Sequence, residues 1–319
     1  MPKVLVIRFS SIGDIVLTTP VVRALKQQLN AEVHYITKKS FRGILAQNPY
    51  IDKIITIESK VSEAEAELRA ADYDFVVDLH HNLRSMQVRR IVGKPSGAFP
   101  KLNVQKWMLV NLGVNRMPKM HIVDRYFDAA KALGVVNDGK GLDYFIAPPD
   151  EVDLHTLPET HRHGYIAVTA GAKFATKQLP ADKLIAIINL LELPVVLLGG
   201  PEDAQRGAEI EQACGSKVYN ACGRYNLGQS ASLVRQASRV IAHDTGLMHI
   251  AAAFHKRIHS VWGNTVPELG MTPYLPAEDS VIVQTTGLSC RPCSKIGYDR
   301  CPKGHFHCMN RISPEAFTV

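Results

Sequence analysis

Asp14 follows two serines, Ser10 and Ser11, and a glycine, Gly13, directly after the apolar run KVLVIR at 3–8. A carboxylate in a loop between a strand and a helix can take the proton of a hydroxyl nucleophile. It can equally be an ordinary helix N-terminal acid facing the macrodipole. The spacing is not the six-position glycine fingerprint of dinucleotide sites, so NAD is not expected. A second chemical stretch is HDTGLMH at 243–249, where an apolar strand turns into the helical run GLMHIAAA. Asp244 or Thr245 can cap that helix. The backbone N–H groups of Thr245, Gly246 and Leu247, with the positive end of the dipole, form a site for an anion. Gly246 lets a phosphate approach the backbone. His249 lies within the first turns, placed either to reach a phosphate oxygen or to pack in the core. Lys177, after the Gly171-Ala172 turn and before Leu179-Pro180, supplies a point charge for a diphosphate, with Lys173 its competitor. Glu202, after Gly199-Gly200-Pro201, can accept from ribose hydroxyls. Asp78, His80, His81, Asn82, Arg84 and Ser85 form a polar set suited to an acceptor. The pair His80-His81 says little about metal, because adjacent strand side chains point to opposite faces.

The last four of six cysteines, Cys290, Cys293, Cys301 and Cys308, are spaced C-x2-C-x7-C-x6-C, with His305 and His307 nearby. Four thiolates at this spacing can hold a structural Zn²⁺. Reduced packed or surface thiols are the other reading, and disulfides are disfavoured in a reducing compartment.

The elements that must position these residues are legible as alternating apolar runs and helical patterns. Strands are expected at 3–8, 32–37, 51–57 and 74–79, with helices near 13–29, 40–47 and 62–71 between them. After a polar, proline-containing linker at 147–163, strands are expected at 164–169, 194–198, 217–219, 239–242 and 258–262. Helices at 181–191, 203–214, 229–237 and 247–254 separate them. Strand alternating with helix is the pattern of a parallel doubly wound sheet, so two such α/β domains are expected, facing across a cleft. Ligands then sit at the loops beyond the carboxyl ends of the strands.

The 319 residues are 46% apolar and 21% charged, with 37 Lys/Arg, 30 Asp/Glu and a net charge of +7. This is a globular composition. No apolar run approaches the ~18 residues of a membrane span. The start lacks a signal-peptide pattern, so a cytoplasmic protein is expected. The charge is uneven: 21 basic against 15 acidic residues in 1–150, and nine basic against one acidic in 84–125. That stretch is either a solvated surface or a patch for an anionic partner. Nucleic acid is not the expected partner, because no aromatic single-strand platform or recognition-helix motif accompanies it. The sequence sets no oligomeric state.

Three stretches together resemble the heptosyltransferases of glycosyltransferase family 9, which build the lipopolysaccharide core. They are RFSSIGDIVLTTPVV at 8–22, TKQLP at 176–180 and HDTGLMHIAAA at 243–253. GNTVP at 263–267 and DLHHNLRS at 78–85 are similar to two further family segments. The resemblance implies a GT-B fold with an acceptor-binding Rossmann-like domain at 1–155. A nucleotide-sugar-binding domain with a Cys-rich tail would follow at 156–319. It implies inverting transfer of a heptose from an ADP-sugar to a hydroxyl of an anionic glycolipid at the inner membrane face. Asp14 would be the base. Lys177, Asp244, Thr245 and Gly246 would hold the diphosphate, with His249 in support. Glu202 would take the ribose and Leu227 would lie near the adenine. Ser10, Ser11 and Gly13 would border the nucleotide-sugar, and Arg8 matches the basic residue ending the first strand. Departures from the family are Gly171-Ala172-Lys173, where hydroxyl residues are usual, and Leu179, where tryptophan is usual. A helix N-terminus and a lysine can stabilise a departing diphosphate, so no metal cofactor is required. One base suffices for one-step inversion. A GT-B epimerase or hydrolase of nucleotide sugars, and a non-catalytic nucleotide-sugar or nucleic-acid binder, are the alternatives.

Overall fold

A computed structural model describes residues 1–318. The chain forms two compact units, Met1–Lys101 with Met120–Ala147, and Leu102–Lys119 with Pro148–Val319.

The first unit is built on five parallel strands, Lys3–Ile7 (β1), Glu32–Lys38 (β2), Lys53–Ile57 (β3), Phe75–Asp78 (β4) and Ser96–Ala98 (β5), in the order β3-β2-β1-β4-β5. β1 reads as an unbroken apolar run because both of its faces are covered. Leu5 and Ile7 pack with Ile36, Ile55, Val76, Leu68 and Val88 on one side. The helices are Ile12–Val16 (α1), Thr19–Leu29 (α2), Arg42–Leu45 (α3), Glu65–Ala70 (α4) and Leu83–Val92 (α5). The helical stretch expected from residue 13 is two helices, and proline is the reason. Pro20 has no N–H to give to the carbonyl of Val16. The hydroxyls of Thr18 and Thr19 donate instead to the carbonyls of Ile15 (2.6 Å) and Val16 (2.8 Å).

Ser96–Ala98 has no apolar signature and escaped the sequence reading, as did α5, Asn103–Leu112 (α6) and Ile122–Tyr126 (α7). Gly97 explains the small residues: a Cβ there would lie 2.1 Å from the Ala129 carbonyl oxygen. The turn Phe127–Leu133 thus packs directly on the edge strand.

The second unit carries Ile166–Thr169 (β6), Val195–Leu198 (β7), Val218–Asn220 (β8), Arg239–His243 (β9), Ile258–Trp262 (β10) and Val281–Gln284 (β11). All pair in parallel, in the order β11-β10-β9-β6-β7-β8, the doubly wound order of dinucleotide-type sheets. Its helices are Ala181–Leu190 (α8), Ala204–Cys214 (α9), Leu227–Gln236 (α10), Gly246–Ala253 (α11) and His307–Asn310 (α12). α10 begins two residues before the expected start because Asn226 and Gln229 cap each other's backbone N–H, at 2.8 and 3.0 Å. The chain end is part of the core: Met309, Ile312 and Phe317 join Ile166, Val168, Leu184 and Val261.

The expected linker at 147–163 is not a free tether. Asp150 accepts from the Asn226 amide (2.8 Å), and Glu151 accepts from Ser232 (2.9 Å) and pairs with Arg235 (2.6 Å). These acids fasten the segment to α10, so the chain passes into the second unit at Ala147–Pro148. Among the described residues no helix is long and apolar enough to cross a membrane.

Candidate functional site

Each sheet reverses its winding once, between β1 and β4 in the first unit and between β6 and β9 in the second. Loops leaving adjacent strands there diverge to opposite faces and leave a crevice at their carboxyl ends. Arg8, Ser10, Ser11, Gly13, Asp14, Lys177, Asp244, Thr245, Gly246 and His249 lie at the ends of those strands or on the segments that follow them, whereas Glu202 follows β7 and Leu227 follows β8.

In the first unit Arg8 is buried at the end of β1. Its Nε donates to the Ser10 carbonyl (2.8 Å), and its Nη1 to the Leu79 carbonyl (2.5 Å) and the Tyr126 hydroxyl (3.1 Å). Its Nη2 meets Asp14 Oδ1 at 2.6 Å. Burial opposes the guanidinium charge, but the neighbouring Asp14 outweighs it and the pKa stands above its ordinary value. Asp14 is the third residue of α1. Its Oδ2 accepts from the Ser11 hydroxyl (2.7 Å) and, at 3.3 Å, from the Ser11 N–H. It therefore serves the helix start and faces a fixed cation together. Ser11 is exposed, Ser10 half-buried and Gly13 buried in the first turn of α1.

The polar set after β4 is bonded within its own turn. Asp78 is fully buried. Its Oδ1 accepts from the N–H groups of His80 (3.0 Å) and His81 (2.7 Å), and its Oδ2 from the Ser85 hydroxyl (2.7 Å). Asn82 caps α5 through the Ser85 N–H (2.9 Å). These contacts build the β4–α5 turn. His80 packs edge-on against Phe9, and its pKa is pushed down to about 3 by burial and by the charges of Arg8 and Lys101. Arg84 lies over the Phe9 ring, 5.6 Å from its centroid.

In the second unit α11 opens at Gly246, with Thr245 as its N-cap residue in extended conformation. The Thr245 side chain makes no capping bond, and its buried hydroxyl has no hydrogen-bond partner. No acid occupies the first turn, so the helix start keeps its positive character. Lys177 ends a short turn after β6. Its Nζ lies 2.6 Å from Asp244 Oδ2 and 3.4 Å from the Asp244 carbonyl. The Thr265 hydroxyl donates to the same Oδ2 at 3.0 Å. Lys173 is exposed over the Phe174 ring instead. The structure thus brings Lys177, Asp244, Thr245 and Gly246 together, and leaves Lys173 apart from them. His249 is buried one turn into α11. Glu202 is exposed with its carboxyl folded over Gly200, and Leu227 is half-buried at the start of α10.

Four supporting residues were not anticipated. Asp203 fills the space where Gly171 and Gly199 lack a Cβ: one added at Gly171 would lie 1.8 Å from its carboxylate. Its Oδ2 accepts from the Gly200 N–H (3.1 Å), and burial pushes its pKa up. Asn264 is buried with neither amide atom hydrogen-bonded, in the loop that carries Thr265. Arg291 donates to the carbonyls of Trp262 (3.2 Å), Thr265 (2.9 Å), Thr285 (2.6 Å) and Gly263. The Tyr298 N–H donates to the Thr176 hydroxyl (2.8 Å), and the Tyr298 carbonyl accepts from that hydroxyl (3.0 Å) and from the Thr176 N–H (3.1 Å), beside Lys177.

The zinc expectation is corrected here. Among the described residues no group of three or more His, Cys, Asp or Glu side chains is placed to hold a metal. Cys290, Cys293, Cys301 and Cys308 are all free. Cys308 packs in the apolar core, where burial pushes its thiol up to about 11, and Cys290 faces His305 at 3.9 Å. Packing and hydrogen bonds to the backbone hold the tail.

Residues 62–301 match the profile of glycosyltransferase family 9 (heptosyltransferase). The chain is 24% identical to lipooligosaccharide heptosyltransferase 2 of Haemophilus influenzae, over 98% of this chain and 96% of that one. In structure it is similar to Escherichia coli ADP-heptose lps heptosyltransferase II, with a TM-score of 0.70, 22% identity, and 97% and 98% of the two chains covered. It is also similar to E. coli heptosyltransferase WaaC solved with ADP, at a TM-score of 0.67, 21% identity, and 87% and 92% coverage.

Proposed function

The chain belongs to glycosyltransferase family 9, the heptosyltransferases, and from that premise we propose that it moves a heptose from an ADP-sugar to a hydroxyl of an anionic lipopolysaccharide-core glycolipid, inverting the anomeric carbon. It is a glycosyltransferase of GT-B fold, with two Rossmann-like units. The second unit takes the donor. The observation that carries this reading is the Lys177 ammonium fixed on Asp244 at a helix start that no side chain caps. Two phosphates seated there meet the free N–H groups of α11 and a lysine already in place. When the sugar–oxygen bond breaks, the charge on ADP is met without reorganisation. Thr245 and Gly246 contribute the backbone approach, and His249 supports them. Glu202 takes ribose hydroxyls and Leu227 flanks the base.

The first unit takes the acceptor. Asp14 removes the proton of the attacking hydroxyl, while the ion pair with Arg8 holds the carboxylate in position. Ser10, Ser11 and Gly13 border the sugar. Of the nine cations of 84–125 Arg125 is buried, and the other eight suit the phosphates and acidic sugars of a lipid-linked acceptor on the cytoplasmic face of the inner membrane. No metal takes part.

Turnover with ADP-heptose and a core glycolipid in the presence of EDTA tests the reading, alongside calorimetry with ADP. Asp14→Asn is expected to lose roughly 10²–10⁴-fold in kcat while ADP affinity stays within about twofold. Lys177→Ala is expected to weaken ADP binding as well as rate. Near-normal turnover by Asp14→Asn overturns the assignment of the base. Release of ADP at full rate without acceptor replaces transfer by hydrolysis.

A further inference from the structure

Helix α6 faces two ways. On one side Leu109 is buried against Val266 and Leu269, on the loop that follows β10, with Met117 packed beside them. On the other, Val104, Trp107 and Leu112 are 68%, 56% and 57% exposed. At 100° per residue, Val104, Trp107, Met108, Asn111 and Leu112 fall within an arc of about 140°. Single apolar residues on a surface are ordinary. Three large ones aligned on a ten-residue helix, one of them tryptophan, form a patch.

The charge around the patch points to what covers it. Residues 101–119 contain Lys101, Lys106, Arg116 and Lys119 and no acid, and Arg116 and Lys119 are exposed. A second copy of the chain would bring the same cations to the same face, and like charges across an interface are costly. An apolar arc carrying tryptophan, with cations and no acid in its own segment and Glu268 on the loop beneath its buried side, matches the headgroup layer of an anionic bilayer. There, tryptophan sits between chains and water, and each nearby cation adds attraction.

We propose that α6 is an interfacial anchor: Val104, Trp107 and Leu112 lie among the acyl chains of an anionic membrane, and Arg116 and Lys119 lie on its phosphates. The inference builds on the reading that the acceptor is lipid-linked. It is tested without any sugar substrate, so that the two can fail separately.

The chain contains two tryptophans, and Trp262 is 1% exposed, so a change in emission on binding reports Trp107. The full chain is mixed with phosphatidylglycerol–phosphatidylethanolamine vesicles or with phosphatidylcholine vesicles. Expected are a blue shift and protection from acrylamide with the anionic vesicles alone, and co-sedimentation with them. Arg116→Gln with Lys119→Gln is expected to lower partitioning roughly 25-fold. Trp107→Ser with Leu112→Ser is expected to abolish it, while transfer to a delipidated acceptor persists. Unshifted emission with anionic vesicles overturns the proposal, as does undiminished sedimentation of the serine variant. A blue shift on concentrating the protein without lipid, with dimers in sedimentation equilibrium, assigns the face to self-association instead. Intact vesicle binding by a chain that transfers nothing to any core acceptor removes the proposed reaction and leaves the anchor standing.

Discussion

His243 ends β9 with its ring buried, and both ring nitrogens are engaged. Nε2 accepts from the Leu179 N–H (2.9 Å), which places the ring proton on Nδ1, 3.2 Å from the Thr169 hydroxyl. Burial, reinforced by the charge of Arg206, holds the pKa down to about 3. In the unfolded chain the ring titrates near its ordinary 6.5. Between those values the unfolded state binds the extra proton, so the stability tied to the neutral ring is full above pH 6.5. It falls as pH drops, by about 1.4 kcal/mol per pH unit. From pH 6.5 to 4.5, urea unfolding of the wild type is expected to lose roughly 2.5 kcal/mol more than His243→Asn. Equal losses would mean that the buried ring is not neutral. At this scale the sequence located Lys177 and the 243–249 turn, because a strand end, a small-residue turn and a helix start are local patterns. It left Lys173 open, since which lysine reaches Asp244 depends on how a loop from β6 lies against one from β9.

Among the elements, the tail between β11 and α12 has the least regular structure and the most consequential contacts. Arg291 gathers carbonyls from the end of β10, from Thr265 and from Thr285. Thr265 in turn holds Asp244 and, through it, Lys177. A lysine at 291 has one nitrogen where the guanidinium presents a fork, and cannot serve four carbonyls. Arg291→Lys is expected to destabilise by about 2–4 kcal/mol and to raise the donor KM more than the acceptor KM. Chemical denaturation and initial rates with each substrate varied check this. Equal effects on both KM values would detach the tail from the donor site. The central strands were readable from the sequence because burial on both faces makes them continuous apolar runs. β5 was not, because Gly97 is there to admit Ala129 and leaves no apolar trace. The tail misled for a related reason. Cysteine spacing resembles a metal site, whereas the contacts that hold the tail run from Arg291 to the carbonyls of Trp262, Gly263, Thr265 and Thr285 and from Tyr298 to Thr176.

At the scale of the whole molecule, both doubly wound sheets followed from alternating strands and helices, and their winding order put the candidate loops at the two reversal points. What composition could not reveal is that 102–119 leaves the first unit, packs Leu109 on Val266 and Leu269, and hands the chain back at Met120. The backbone therefore passes between the units three times. Recombination between relatives has to respect that route. A chimera that joins foreign residues 1–147 to the native 148–319 sets an unrelated helix against Val266 and Leu269. One that also keeps the native 102–119 restores the original seam. The second chimera is expected to express in soluble form and melt several degrees above the first, and equal melting temperatures would show the seam to be dispensable. Specificity swaps in proteins of this build are thus three-junction problems, and a donor module carries with it a helix encoded in the middle of the other half.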